Sequence, residues 1–282
     1  MRPAGMRWTR GREQNICAGN RSEEVWMKRL ITRVWIGSLI VLVFLSPMVC
    51  AMDGNAVLNK VDEVLSASTT SVASATMTLV DRGGQARERG MVVWTKHFKD
   101  KDDWSLLKFT SPAELRNLGF LSLADDQMYL YLPAFDRVRR IASTARKESF
   151  AGSDLSNDDL STGKYTHHYD ARITQETETV YVLDLDRKAG SDRIYARVRA
   201  WVDKERFTVS KMELYEDTDK LWKTSEMVHE QIQGYWTPVQ ITMKDVTKDH
   251  TTIMKITEIA YDTDLDDSVF STRYLKRNVK VD

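Results

Sequence analysis

Residues 66–84 read SASTTSVASATMTLVDRGG, and the fold turns on how they are read. Ala73, Ala75, Met77 and Leu79 occupy alternate positions among Ser and Thr, and Asp81-Arg82-Gly83-Gly84 ends the run in a turn. Successive side chains of an extended chain point to opposite faces, so this stretch has one apolar and one polar face. It is a half-buried strand. Upstream the period changes: Val57, Leu58, Val61, Val64 and Leu65 recur at helical spacing, with Asp53 or Asn55 available as a cap. Downstream, strand-like runs follow at short intervals, at 87–97, 104–110, 118–123, 128–132 and 137–141. A second series follows at 165–175, 179–186, 194–202, 207–215, 225–233, 237–246 and 251–261. Tight polar turns such as Asp100-Lys101-Asp102-Asp103, Ala124-Asp125-Asp126-Gln127 and Asp217-Thr218-Asp219-Lys220 separate them. The pattern predicts one antiparallel meander closing toward a barrel. Residues 111–115, SPAEL, read as one helical turn between strands.

One segment breaks the rhythm. Residues 142–164, ASTARKESFAGSDLSNDDLSTGK, carry no strand pattern, and long irregular segments in compact domains are often lids or binding loops. Phe150 and Leu155 are its apolar members, Ser153 and Asp154 suit local backbone hydrogen bonds, and Gly152 can take a conformation other residues avoid. The segment is expected to pack back onto the sheet. The alternative is a solvated connection with a short helix near 157–160.

The first fifty residues read as an address. Residues 34–45, VWIGSLIVLVFL, lack charge, follow Lys28, Arg29 and Arg33, and precede Val49-Cys50-Ala51. That order describes a secretory signal with cleavage after Ala51. Met27-Lys28-Arg29 makes an ordinary signal start, so residues 1–26 read as a mis-assigned start. Two alternatives stand beside this: an uncleaved anchor, for which the run is short, and a lipoprotein acylated on Cys50, which Met48-Val49 disfavours. A single domain is expected over residues 52–282, placed in the periplasm.

Composition removes several classes of function. The 282 residues hold 41 Lys and Arg against 41 Asp and Glu, which gives no electrostatic footprint for nucleic acid. Loss of eight basic and three acidic leader residues leaves a net charge of −5. Both cysteines, Cys17 and Cys50, lie in the leader, so the mature chain must rely on its core alone.

Motifs for chemistry are scarce. There is no phosphate loop, dinucleotide fingerprint or nucleophile elbow. His229-Glu230-Gln231-Ile232-Gln233 misses the second histidine of a zinc-protease helix, and His229 reads as an ordinary strand residue. Asp154, Ser156 and Asp158 imitate a calcium loop, but Asp159 replaces its glycine and Tyr165 its glutamate. His167 and His168, adjacent in a strand, would face opposite ways. No cofactor, metal or catalytic residue is expected.

The succession Asp126-Gln127-Met128-Tyr129-Leu130-Tyr131-Leu132-Pro133, Arg137-Val138-Arg139-Arg140-Ile141, Ser149-Phe150-Ala151-Gly152-Ser153-Asp154-Leu155 and Asp158-Asp159-Leu160 resembles the outer-membrane lipoprotein-sorting family, relatives of the periplasmic carrier LolA and the receptor LolB. Phe109-Thr110-Ser111-Pro112-Ala113 and Val269-Phe270-Ser271-Thr272-Arg273-Tyr274-Leu275 extend the likeness over nearly the whole mature chain. Ala151 and Leu155 stand where the family usually has Met and an aromatic residue. The resemblance implies a mostly β fold: a half-open antiparallel β-barrel of about 11 strands, its apolar face covered by helices. It implies lipid or lipoprotein acyl chains as ligands, and as partners an inner-membrane transporter of the RND/MMPL type and an outer-membrane acceptor.

A 16-carbon chain costs on the order of 12 kcal/mol to hold in water, so a carrier needs apolar area and a cover rather than special polar groups. Strand parity proposes Met91 and Val93, Met128, Leu130 and Leu132, Ala196 and Val198, and Met212 and Leu214 as cavity residues. Val92 and Trp94 form an equally good inward pair on their strand. Phe150, Gly152, Ser153, Asp154 and Leu155 are the candidates for the covering loop. Two rival functions are an accessory subunit of an envelope transport complex, with the cavity merely core, and a hydrolase built on a carboxylate pair.

Overall fold

The computed structural model describes residues 52–123 and 127–279. The leader, with its cleavage site and Cys50, and the Ala124-Asp125-Asp126 turn lie outside the described residues. Helix α1 (Gly54–Leu65) starts at Asp53, whose carboxylate accepts from the Ala56 amide at 2.7 Å. Its apolar stripe is driven inward: Val57, Leu58 and Val61 are at most 2% exposed. The start of α1 lies so close to the sheet that a Cβ on Gly54 would stand 2.4 Å from the Ala171 carbonyl oxygen.

A sheet of thirteen antiparallel strands follows: β1 (Thr70–Val80), β2 (Ala86–Lys96), β3 (Trp104–Phe109), β4 (Gly119–Ser122), β5 (Met128–Leu132), β6 (Arg137–Arg140), β7 (Tyr169–Glu176), β8 (Val180–Arg187), β9 (Arg197–Asp203), β10 (Val209–Tyr215), β11 (Leu221–Ile232), β12 (Tyr235–Asp245) and β13 (His250–Tyr261). The count exceeds the eleven expected from the resemblance, because each of the thirteen alternating runs forms its own strand. Two local readings are corrected. Residues 165–168 form a turn of helix, α2 (Tyr165–His168), before β7 begins, and residues 112–116 make two successive turns, with Leu115 N donating to Pro112 O at 3.1 Å, instead of a helix.

Strand order explains the irregular segment. The order is β6-β5-β4-β3-β2-β1-β13-β12-β11-β10-β9-β8-β7, so β6 and β7, neighbours in the chain, are the two edges of an open sheet. Residues 141–168 must therefore travel from one edge to the other. They do so across the inner face, the face that α1 also covers, and Phe150 stacks there on Phe109 with ring centres 5.7 Å apart and meets Phe120 edge-on at 5.6 Å. Ala151 and Gly152 turn the chain through positive φ (51° and 73°), a conformation that suits glycine. Within the segment the only regular piece near 157–160 is a 3-10 turn, Asp158–Leu160.

The outer face is sealed at the β3–β5 end. Leu106, Leu121 and Tyr131 pack there under Val269, Phe270 and Leu275 of the C-terminal segment, which contains the short helix α3 (Thr272–Leu275). Among the described residues, five of the strand pairings carry a register shift, and two of these are bulges in β12 and β13. Val239 is the extra residue between the pairs Val228↔Gln240 and His229↔Pro238, and Thr257 is the extra residue between Ser74↔Glu258 and Ala75↔Ile256.

Candidate functional site

A cavity of about 430 Å³ opens on the inner face between α1, the crossing segment and strands β9–β13. That volume is ordinary for a small-molecule pocket. Its apolar wall consists of Val61, Val64 and Leu65 from α1, Val198 from β9, Val209, Met212 and Leu214 from β10, Met227 from β11, Ile241 and Met243 from β12, and Met254 from β13. Methionine is flexible and polarizable, so four of them make a wall that can adjust to what enters. The bulge at Val239 matters here. It restores the inward direction for Pro238 and Trp236 after Met243 and Ile241, so both ends of β12 line the cavity.

Of the nine residues proposed from parity, Val198, Met212 and Leu214 line this cavity. The other six do not. Met91 and Met128 are 1% exposed in the core, and Val93 and Leu130 pack against that core. Phe150, stacked between Phe109 and Phe120, fills the space in front of their strands. Leu132 is half-buried where β5 runs into a turn, and Ala196 is half-buried just ahead of β9. Residues missed from the sequence include Met227, His229, Trp236, Pro238 and Met254. The signal for part of this set was Pro238: a proline inside a strand marks an edge or a bulge.

The loop candidates are anchored rather than free. Phe150, Ser153, Asp154 and Leu155 are at most 5% exposed, and Leu155 alone of the five lines the cavity. Asp154 accepts from Thr252 Oγ1 and pairs with His250 Nδ1, both at 2.7 Å, which ties the segment to β13. Arg89 donates to the Ala151 carbonyl at 2.6 Å.

Four carboxylates stand in the cavity wall, and each is already engaged. Asp62 accepts from the Tyr165 and Thr166 amides at 3.0 and 2.9 Å, joining α1 to α2. Asp103 pairs with His97 at 2.7 Å and accepts from the Phe98 amide at 2.9 Å. Asp158 meets buried Arg146 at 2.6 Å and the Ile194 amide at 3.3 Å. Asp159 accepts from Ser156 and Tyr195 at 2.7 Å and from Lys223 at 2.9 Å. Burial raises the Asp158 carboxyl above its usual range against the pull of Arg193 and Arg146. These bonds fix the wall. The Tyr165 hydroxyl, 3.7 Å from Met212 Sδ, is pushed up to about 12, chiefly by burial. The His229 imidazole is lowered by burial and is therefore held toward its neutral form.

Among the described residues no group of three His, Asp or Glu side chains could hold a metal ion, and no helix is long and apolar enough to cross a membrane. No curated protein matches the chain. A family model described as “-like: Uncharacterized protein” matches residues 101–277. A solved DUF1329 family protein from Desulfovibrio piger is 30% identical, with a TM-score of 0.74 over 79% of this chain and 97% of that one. The chain belongs to the DUF1329 family. Two further structures place the fold of this DUF1329 protein beside LolA. A domain from Vibrio parahaemolyticus described as outer-membrane lipoprotein-sorting is 24% identical, with a TM-score of 0.72 over 78% of this chain and 98% of that one. A LolA superfamily protein from Nitrosomonas europaea is 21% identical, with a TM-score of 0.67 over 79% of this chain and all of that one (100%).

Proposed function

We propose that this protein is a non-catalytic carrier of the cell envelope, which takes the acyl chain of a lipid or lipoprotein into the inner-face cavity. One observation carries the reading: the open half of the inner face is a cavity walled by four methionines and aliphatic residues, while its carboxylates are all occupied. Apolar area removed from water supplies the affinity, at about 25 cal/mol per Å². The LolA-like fold supports it, since a carrier needs an apolar face with a cover, and α1 with the crossing segment provides one. Export by the leader, with residues 52–282 as the working domain in the periplasm, belongs to the same proposal. So do an RND/MMPL-type transporter as donor and an outer-membrane acceptor.

The test is displacement of a fluorescent fatty acid from the purified protein. Saturable binding, competed by unlabelled palmitate and lost on filling the cavity, is the expected result; no binding would overturn the carrier reading. The accessory-subunit alternative has one observation behind it. Val228 is 52% exposed on a strand face shared with Glu230 and Ile232, away from the cavity. Absence of lipid binding together with capture by an envelope complex would favour it.

A further inference from the structure

The four carboxylates of the cavity wall are hydrogen-bonded, whereas one buried hydroxyl in it is not. Ser225 sits on β11, 2% exposed, and its Oγ has no hydrogen-bond partner among the described residues. It lines the cavity on the same strand face as Met227 and His229. Register places Met212 of β10 on one side of it and Met243 of β12 on the other. Lys223, two residues back, bonds to Asp159, which also holds Tyr195. Ser225 thus marks the border between the apolar wall and a polar end formed by Asp159 and Tyr195. Phe207, His229 and Trp236, all half-buried, stand at the other end of the cavity. Four residues of extended strand separate Ser225 from His229, about 13 Å.

A buried hydroxyl without a partner is a standing cost, and alanine or valine would pack the same strand without it. The neighbouring carboxylates, by contrast, all have hydrogen-bond partners. Met212 and Met243, flexible thioethers, can yield to a ligand atom arriving between them. We infer that the cavity selects an apolar chain bearing an oxygen function, a hydroxyl or an ester carbonyl, at the depth of Ser225, over plain hydrocarbon. The inference rests on the acyl-chain reading of the cavity and adds to it a specificity-determining residue.

The experiment compares dodecanoic acid with ω-hydroxydodecanoic acid as competitors of a fluorescent fatty acid, on the wild-type protein and on Ser225→Ala. Wild type should prefer the hydroxylated chain by about fivefold, the scale of one net buried hydrogen bond. Ser225→Ala should lose the preference, its affinities for the two acids differing by less than twofold. Without ligand the variant should melt no lower than wild type, because it removes an unpaired group. Equal affinity of wild type for the two acids, or a preference that survives in Ser225→Ala, would overturn the inference and leave the carrier reading intact. A lower melting temperature for the variant would also overturn it, by showing that the hydroxyl is already satisfied. If wild type binds neither acid, the carrier reading itself falls.

Discussion

The two halves of the inner face start from similar residues and end differently. Toward β2–β5, Met91, Phe109, Phe120 and Met128 meet a side chain from their own chain, Phe150, and the space closes. Toward β9–β13, Met212, Met227, Met243 and Met254 meet no such plug, and about 430 Å³ stays open. Both regions are walled by methionine, aliphatic and aromatic residues, so composition does not decide which half holds a ligand. The path of one connection does. A segment forced to cross from edge to edge fills the half where it lays down an aromatic ring and bridges the half where it lays down Leu155 and a polar network.

The largest expected effect tests how that segment is held. Asp158→Ala removes a carboxylate from Arg146, which is 1% exposed and also pairs with half-exposed Asp192. Removing one member of a buried ion pair typically costs about 3–5 kcal/mol. Urea denaturation should show that loss, and a change under about 1 kcal/mol would mean the crossing segment is not anchored there. Phe150→Ala comes next, at roughly 3 kcal/mol for a buried aromatic truncated to a void. It carries a second readout: the filled half should open, so the variant should accept bulkier chains than wild type. If the variant's size limit stays unchanged, the plug explanation of the closed half is wrong.

A change in the open half should do the reverse. Met227→Trp places a large ring in the cavity from a half-buried position, so it should lower fatty-acid affinity at least tenfold. Its effect on stability should stay near 1 kcal/mol, below the usual cost of overpacking a filled core. Loss of stability on the scale of Phe150→Ala would show that the open half is ordinary core.

Much of the fold was legible because its signals are local. The alternation at 73–79, the helical spacing at 57–65 and the polar turns each report on a few adjacent residues. Phe150 and Leu155 also stood out as apolar positions in a polar stretch. The cavity was less legible, since facing alone does not separate core from site. Met91 and Val198 both point inward, yet what lies opposite depends on an edge-to-edge crossing that only the strand order reveals. The bulge at Val239 shifts parity by one residue and hides Trp236 from any count of two, with Pro238 as the sole hint. Ser225 had no signal at all, because an unpaired hydroxyl is a property of its surroundings.

The smallest effect concerns the outer seal of the filled half. Lys108 of β3 is 1% exposed under the C-terminal segment, its ammonium donating to the Arg277 carbonyl and lying 5.8 Å from the Tyr131 ring centre. Burial pushes its pKa down to about 8, against about 10.4 in an unfolded chain. Between those values the unfolded state carries a proton that the folded state has released, so this group makes stability rise with pH across the window. Below about 8 both states are charged, and the full penalty of burying the cation is present. Above about 10.4 both are neutral, and it is gone. Half-buried Tyr165 and buried Tyr195, raised by the same desolvation, work in the opposite direction as unfolded tyrosines begin to ionise near 10, so the comparison must be a difference. Lys108→Met keeps the length and apolar stem of the side chain without the charge. It should be more stable than wild type at pH 7, and the gap should narrow steadily as denaturation is repeated from pH 8 to 10.5. A gap independent of pH would mean that Lys108 titrates in the folded protein as it does in the unfolded chain, well solvated beneath the C-terminal segment, and that the outer seal is looser than the plug on the inner face.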